Sequence, residues 1–147
     1  LILDHLQDPG NLGTIMRAAE AAGVTGILMS SDCVDIYNPK TIRSTMGALY
    51  RVPFVVSEDF SGDIERLKKA GVSTYAAHLG ATISYEGADY KKPCAFMIGN
   101  EANGLSDEVA ALADCKILIP MAGQVESLNA AMAATVLMFE AARQRRN

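Results

Sequence analysis

The chain has 147 residues, half of them hydrophobic and a fifth charged, and a formal net charge of −4. That composition fits one folded domain with a substantial core and no low-complexity tract. It argues against a general nucleic-acid clamp, which is usually basic, and every apolar run is far shorter than the roughly 20 residues of a membrane span.

From the amino terminus, Leu1 to Asp4 reads as a strand. Asn11 caps a helix whose Leu12, Ile15, Met16 and Ala19 form one apolar stripe, with Gly23 at its end. Gly26 to Met29 is a second strand, and Pro39 opens a short helix, Lys40 to Met46, that reaches Gly47. Phe54-Val55-Val56 is a third strand, followed by a helix from Gly62 to Ala70 that Gly71 stops. Val72 to Ala77 is the fourth, and a polar stretch with Gly80, Gly87 and Pro93 leads into the fifth, Cys94 to Ile98. Ser106 caps a short helix through Ala113, with Asp107 and Glu108 suiting its positive end. Lys116 to Ile119 is the sixth strand. The last helix runs from about Ser127 to Arg143, with Leu128, Met132, Val136 and Phe139 along one face.

Strands alternating with helices, without repeat or linker, predict one α/β domain over 1–147. Its expected architecture is a mostly parallel, six-stranded sheet covered by helices on both faces. Periodicity leaves the strand order open. Cys33, Cys94 and Cys115 show no C-x-x-C spacing, and His5 and His78 are far apart. The expectation is therefore no metal site, three buried thiols and a reducing, cytoplasmic setting. With no signal peptide before Leu1 and no initiator Met, the chain is expected to be a cytoplasmic fragment lacking an upstream part. Lys40, Arg43 and Arg51 form a local basic cluster, while Arg143, Arg145 and Arg146 suit a helix carboxyl end.

Three polar, glycine-containing strings follow apolar runs: Asn11 to Arg17, Gly99 to Leu105, and Ile119 to Ala131. Loops at the carboxyl ends of parallel strands converge on one crevice, so segments remote in sequence can build one pocket. Arg17 lies about 140° around its helix from Leu12, off the apolar stripe, where a guanidinium can fork onto a phosphate or carboxylate. Gly99 and Gly104 let the backbone bend tightly and approach a ligand, and Glu101 between them can hold an arginine or a hydroxyl. Pro120 stops the sixth strand, and Ser127 and Asn129 open the last helix. Neither histidine adjoins these strings, so Ser127 has no base to make it a nucleophile. Neither G-x-G-x-x-G nor G-x-x-x-x-G-K-[ST] occurs, which disfavours an ordinary dinucleotide or nucleoside-triphosphate enzyme.

Together the strings resemble the three signature motifs of the SpoU-type (TrmH-like) 2′-O-ribose RNA methyltransferases of the SPOUT, or α/β-knot, superfamily. That family carries Asn-x-Gly-[Ser/Thr]-x-x-Arg, then Gly-x-Glu-x-x-Gly, then Ile-Pro-Met followed by Ser-Leu-Asn and small residues. Here they read Asn11-Leu12-Gly13-Thr14-Ile15-Met16-Arg17, Gly99-Asn100-Glu101-Ala102-Asn103-Gly104, and Ile119-Pro120-Met121 with Ser127-Leu128-Asn129-Ala130-Ala131. No signature position departs, and the resemblance spans essentially the whole chain.

The resemblance implies a Rossmann-like fold ending in a deep trefoil knot, a homodimer whose interface borders the site, and S-adenosylmethionine as methyl donor without a metal. It places the donor against backbone at Gly99, Ile119 and Leu128, with His78, Leu79, Gly80 and Met121 as walls. It gives the chemistry to Arg17, supported by Asn11, Glu101, Ser127 and Asn129. A guanidinium with a pKa above about 12 is a poor base, so the expected role of Arg17 is to pair with the target phosphate and orient the 2′-hydroxyl. The implied acceptor is RNA, ribosomal RNA ahead of tRNA, with antibiotic-resistance methylation of ribosomal RNA as a variant. The negative net charge then points to a separate amino-terminal RNA-binding domain, absent here. A catalytically silent dimeric RNA-binding scaffold is the alternative of a different class.

Overall fold

The computed structural model describes residues 1–146. Seven strands are formed: β1 (Ile2–Leu3), β2 (Ile27–Ser30), β3 (Phe54–Ser57), β4 (Ser73–Ala77), β5 (Ile83–Ser84), β6 (Cys94–Ile98) and β7 (Cys115–Leu118). Five α-helices alternate with them: α1 (Pro9–Ala22), α2 (Pro39–Thr45), α3 (Phe60–Lys69), α4 (Asp107–Ala111) and α5 (Ala130–Arg146). The order across the sheet is β3-β2-β1-β6-β4-β7-β5, and every ladder is parallel. Strands buried on both faces explain the unbroken apolar runs, and their side chains alternate between two cores. Leu3, Phe96 and Ile98 join Leu12, Ile15, Met16 and Leu137 on one face. Ile2, Ala95 and Met97 join Ile64, Leu105 and Val109 on the other. Leu12, Ile15 and Met16 are fully buried, each contributing roughly 1.5–3 kcal/mol of apolar burial.

The expected sheet gains one strand. β5 is only two residues long, inside the polar stretch before Pro93, and pairs Ile83 with Ile117 and Ser84 with Leu118. So short an edge strand carries no alternation to read.

α3 starts at Phe60, two residues before the expected Gly62, with Asp59 as its cap, and the two helices that carry site residues also start elsewhere than expected. α1 begins at Pro9, because the Asp8 carboxylate accepts the Asn11 N–H at 2.7 Å and proline suits the first helical position. Asn11 is thus inside the helix, not its cap, and its side chain is released for other contacts. α5 begins at Ala130. Its cap is Asn129, whose Oδ1 accepts the N–H groups of Ala131 and Met132 at 2.9 and 3.3 Å, so Ser127 stays outside the helix.

The stripe expected to bury α5 is also replaced. The buried residues are Ala131, Ala134, Leu137, Met138 and Ala141, while Met132 and Phe139 keep 50% and 41% of their surface exposed. The first turns of α5 are apolar all round, so periodicity picks no face, and small alanines let the helix lie close to α1. On its other side α1 meets α2, where a Cβ on Gly13 would sit 2.2 Å from that of Ser44. Glycine at position 13 is what allows the two helices to touch.

Candidate active site

β6 delivers Gly99 to the carboxyl edge of the sheet, and there the backbone doubles back on itself. A Cβ on Gly99 would fall 2.1 Å from both the Gly104 carbonyl carbon and the Leu105 nitrogen, which excludes any side chain. Asn100 locks the turn. Its N–H donates to the Gly104 carbonyl at 2.9 Å, and its own carbonyl accepts the Gly104 N–H at 2.8 Å. Its side-chain oxygen accepts from Ala102 N–H at 2.8 Å, and its amide donates to the His5 carbonyl at 2.9 Å. Beyond the turn, the buried Asp4 carboxylate accepts both the N–H and the hydroxyl of Ser106 at 3.1 Å, tying the start of α4 to the end of β1.

That loop presents Glu101 to the amino end of α1. The carboxylate accepts the N–H of Gln7 at 3.2 Å, the N–H of Asp8 at 3.0 Å and the Asn11 side-chain amide at 3.1 Å. Desolvation acts to raise its pKa, but the Asn11 amide and the N–H groups of Asp8 and Gln7 outweigh it and hold the carboxyl below its ordinary value. The charge also sits where the dipole of α1 favours an anion.

Asn11 completes a link between all three strings. While its amide donates to Glu101, its Oδ1 accepts from the Asn129 amide at 3.0 Å, across 118 residues of sequence. Asn129 therefore caps α5 with one end of its side chain and reaches α1 with the other. Each member polarises the next, so the chain of amides and carboxylate is stronger than its separate bonds.

Beside this link lies a cavity of about 330 Å³. Its walls are the Gly99–Leu105 turn, the ends of β4 and β7, and the segment after Pro120. Of the residues assigned to the donor, Gly99, Ile119, Leu128, Met121, His78 and Leu79 line it, and Gly80 does not. Gly80 instead supports a wall: its N–H donates to His78 Nδ1 at 3.0 Å, and a Cβ there would crowd the ring at 3.2 Å. Of the residues assigned to the chemistry, Glu101 and Ser127 line the cavity, while Asn11 and Asn129 stand behind it. Arg17 is exposed, about two helical turns beyond Asn11 on α1, and pairs with no carboxylate among the described residues.

Sequence reasoning missed Asp8, Asn100 and the bracing of His78 by Gly80. Asp8 had a readable signal, an acceptor directly before a proline at a helix start. Among the described residues no cluster of His, Cys, Asp and Glu has the geometry to hold a metal ion. A larger groove of about 970 Å³ lies at the opposite edge, against Leu1, Gly26, Pro53 and Pro93. It touches none of the three strings, and ligands of parallel α/β sheets bind at the carboxyl edge.

A family model described as the SpoU rRNA Methylase family matches residues 1–139. An uncharacterized tRNA/rRNA methyltransferase of Synechocystis is 41% identical, over 98% of this chain and 53% of its own length. The 23S rRNA (guanosine(2553)-2'-O)-methyltransferase RlmP of Bacillus subtilis is 35% identical over 95% of this chain and 56% of its own length. The chain thus spans about half the length of the curated relatives it matches. Among solved structures, the SpoU methyltransferase AviRb from Streptomyces viridochromogenes in complex with the cofactor AdoMet superposes with a TM-score of 0.90. It is 35% identical, and the match covers 99% of this chain and 59% of that one. An AdoMet-bound rRNA methyltransferase from Sinorhizobium meliloti superposes at 0.89 with 40% identity, covering 97% of this chain and 54% of that one.

Proposed function

The chain belongs to the SpoU rRNA methylase family, and from that premise we propose that the protein transfers a methyl group from S-adenosylmethionine to a ribose 2′-hydroxyl of ribosomal RNA. The observation that carries this reading is the hydrogen-bonded line from Asn129 through Asn11 to Glu101, which draws three distant motifs together beside one cavity. The cavity fits the donor in kind. Gly99 leaves its backbone bare for close approach, Ile119, Met121 and Leu128 offer apolar surface, and the lining has two carboxylates but no lysine or arginine to repel a cation. The name of the Bacillus relative, a 23S rRNA enzyme, favours ribosomal RNA over tRNA.

When bound, S-adenosylmethionine supplies an already activated methyl group. The work left to the protein is alignment and the handling of one proton. In this reading Gly99, Ile119 and Leu128 hold the donor through their backbones, and His78, Leu79 and Met121 close its walls. Glu101, fixed by three donors, keeps Asn11 and the start of α1 in register. Arg17 meets the target phosphate and orients the hydroxyl, whose proton leaves through a phosphate oxygen or water. Ser127 faces the acceptor side.

The same reading includes a homodimer. Its support is the apolar surface that α5 leaves exposed at Met132 and Phe139, next to the helix that carries Arg17. It also includes the trefoil knot, in keeping with a segment that leaves β7 and returns at Asn129 to the start of α1. It puts the protein in the cytoplasm, in keeping with three unbridged thiols. The test has two arms. Calorimetry on the full-length protein is expected to show S-adenosylmethionine binding, and mapping of 2′-O-methyl positions in total RNA is expected to lose one ribosomal site when the gene is removed. Loss of a tRNA site instead would replace the acceptor, and no donor binding would overturn the reading.

A further inference from the structure

The cavity has two acidic side chains in its lining, Glu101 and Glu126, and no lysine or arginine. They are not equivalent. Glu101 is saturated by three donors and belongs to the framework of the site. Glu126, exposed like Glu101, has no hydrogen-bond or ion-pair partner among the described residues, although it stands in the same wall as Ser127 and Leu128. An exposed carboxylate in a cavity wall, unpartnered among the described residues, favours a cation bound in that cavity.

This bears on how one site can prefer its donor over its product, and it rests on the cofactor reading above. S-adenosylmethionine carries an ammonium, a sulfonium and a carboxylate, hence one net positive charge. S-adenosylhomocysteine, left after transfer, has lost the sulfonium charge and is neutral overall. The two are nearly the same shape, so apolar walls and backbone contacts bind them almost equally. Only a charge facing the ligand separates them. We propose that Glu126 is the specificity-determining residue that makes this choice, favouring the cationic donor and easing release of the neutral product. Because Glu126 is exposed, the preference is modest and is screened by salt.

Calorimetry on the full-length protein and its E126Q variant tests this with three ligands: S-adenosylmethionine, S-adenosylhomocysteine, and sinefungin, in which a carbon bearing an ammonium replaces the sulfonium. The substitution is expected to weaken both cationic ligands by about three- to tenfold, to leave S-adenosylhomocysteine within about twofold, and to flatten the salt dependence of the first two. E126K is expected to deepen the same asymmetry, and thermal melts serve as the folding control, since Glu126 has no partner among the described residues to lose. Equal losses for all three ligands, or no loss for any, would overturn the role of Glu126 while leaving the cofactor reading intact. Failure of the unsubstituted protein to bind any of the three would overturn both.

Discussion

The Gly99–Leu105 turn and the Met121–Leu128 segment face each other across one cavity, yet they are held in opposite ways. The turn is closed by a pair of backbone hydrogen bonds, braced to His5 through Asn100, and tied to α1 through Glu101. The segment opposite is exposed from Ala122 through Asn129, and no hydrogen bond secures residues 120–128 among the described residues before Asn129 anchors the chain again. One wall is built by folding. The other is an exposed segment held only at its ends. The contrast teaches that substitutions on the first wall should register in stability and binding together, and those on the second in binding alone.

The hardest blow to the first wall is G99A. Its Cβ would meet backbone atoms at 2.1 Å, with no flexible side chain able to yield, so the turn must open. A loss of stability on the order of 3 kcal/mol and a collapse of donor binding are expected together, read by thermal melting and calorimetry. An unchanged melt would break the comparison at its strongest point.

E101Q probes the same wall by removing charge while keeping shape. A carboxyl held below its ordinary pKa stabilises the fold above the unfolded-state pKa, and the benefit disappears as pH falls through the folded value. Because Glu101 is exposed, solvent screening holds the expected cost at neutral pH to about 1 kcal/mol, and the variant should lose less stability on acidification below the ordinary carboxylate range. Urea titrations at a series of pH values check both. A variant as acid-sensitive as its parent would show that the Glu101 charge is not what fixes α1.

How much of this was readable in the residues depends on whether the cause was local. Apolar runs bounded by glycine and proline disclosed six of the seven strands, and the capping signals of α3 and α4 disclosed their approximate spans. β5 escaped because two residues carry no period. The start of α1 slipped because Asn11 looked like a cap, while the Asp8-Pro9 pair held the stronger signal. The stripe on α5 was misjudged because its alternatives are all apolar, and only the approach of α1 selects the alanine face. The strings that border the cavity could be found by their composition. The bond from Asn129 to Asn11 could not, since nothing local says that residues 118 apart will touch.

That bond is the joint between the two walls, and it yields a smaller, more selective effect. N129A removes a helix cap worth about 1 kcal/mol as well as the link to α1. N129S restores an oxygen able to cap but is too short to reach Asn11. Set against N11A in double-mutant cycles, N129A and N129S are each expected to show coupling of roughly 0.5–1.5 kcal/mol, because both break the link, while N129S alone costs less than N129A because the cap is kept. Additive losses throughout would mean that the two walls stand independently.

The smallest expected change in stability is at Ser127, where it sharpens the comparison most. The hydroxyl lines the cavity and is exposed, and it neither caps α5, a task that falls to Asn129, nor bonds any other described residue. S127A should therefore leave the melting curve within the change of about 0.5 kcal/mol typical of surface sites. If the hydroxyl touches the acceptor, methyl transfer to RNA should fall while S-adenosylmethionine binding holds, because the lost contact is made only when RNA is present. A drop in stability matching that of N129A would mean that this wall is also held by folding, and the distinction between the two sides of the cavity would be lost.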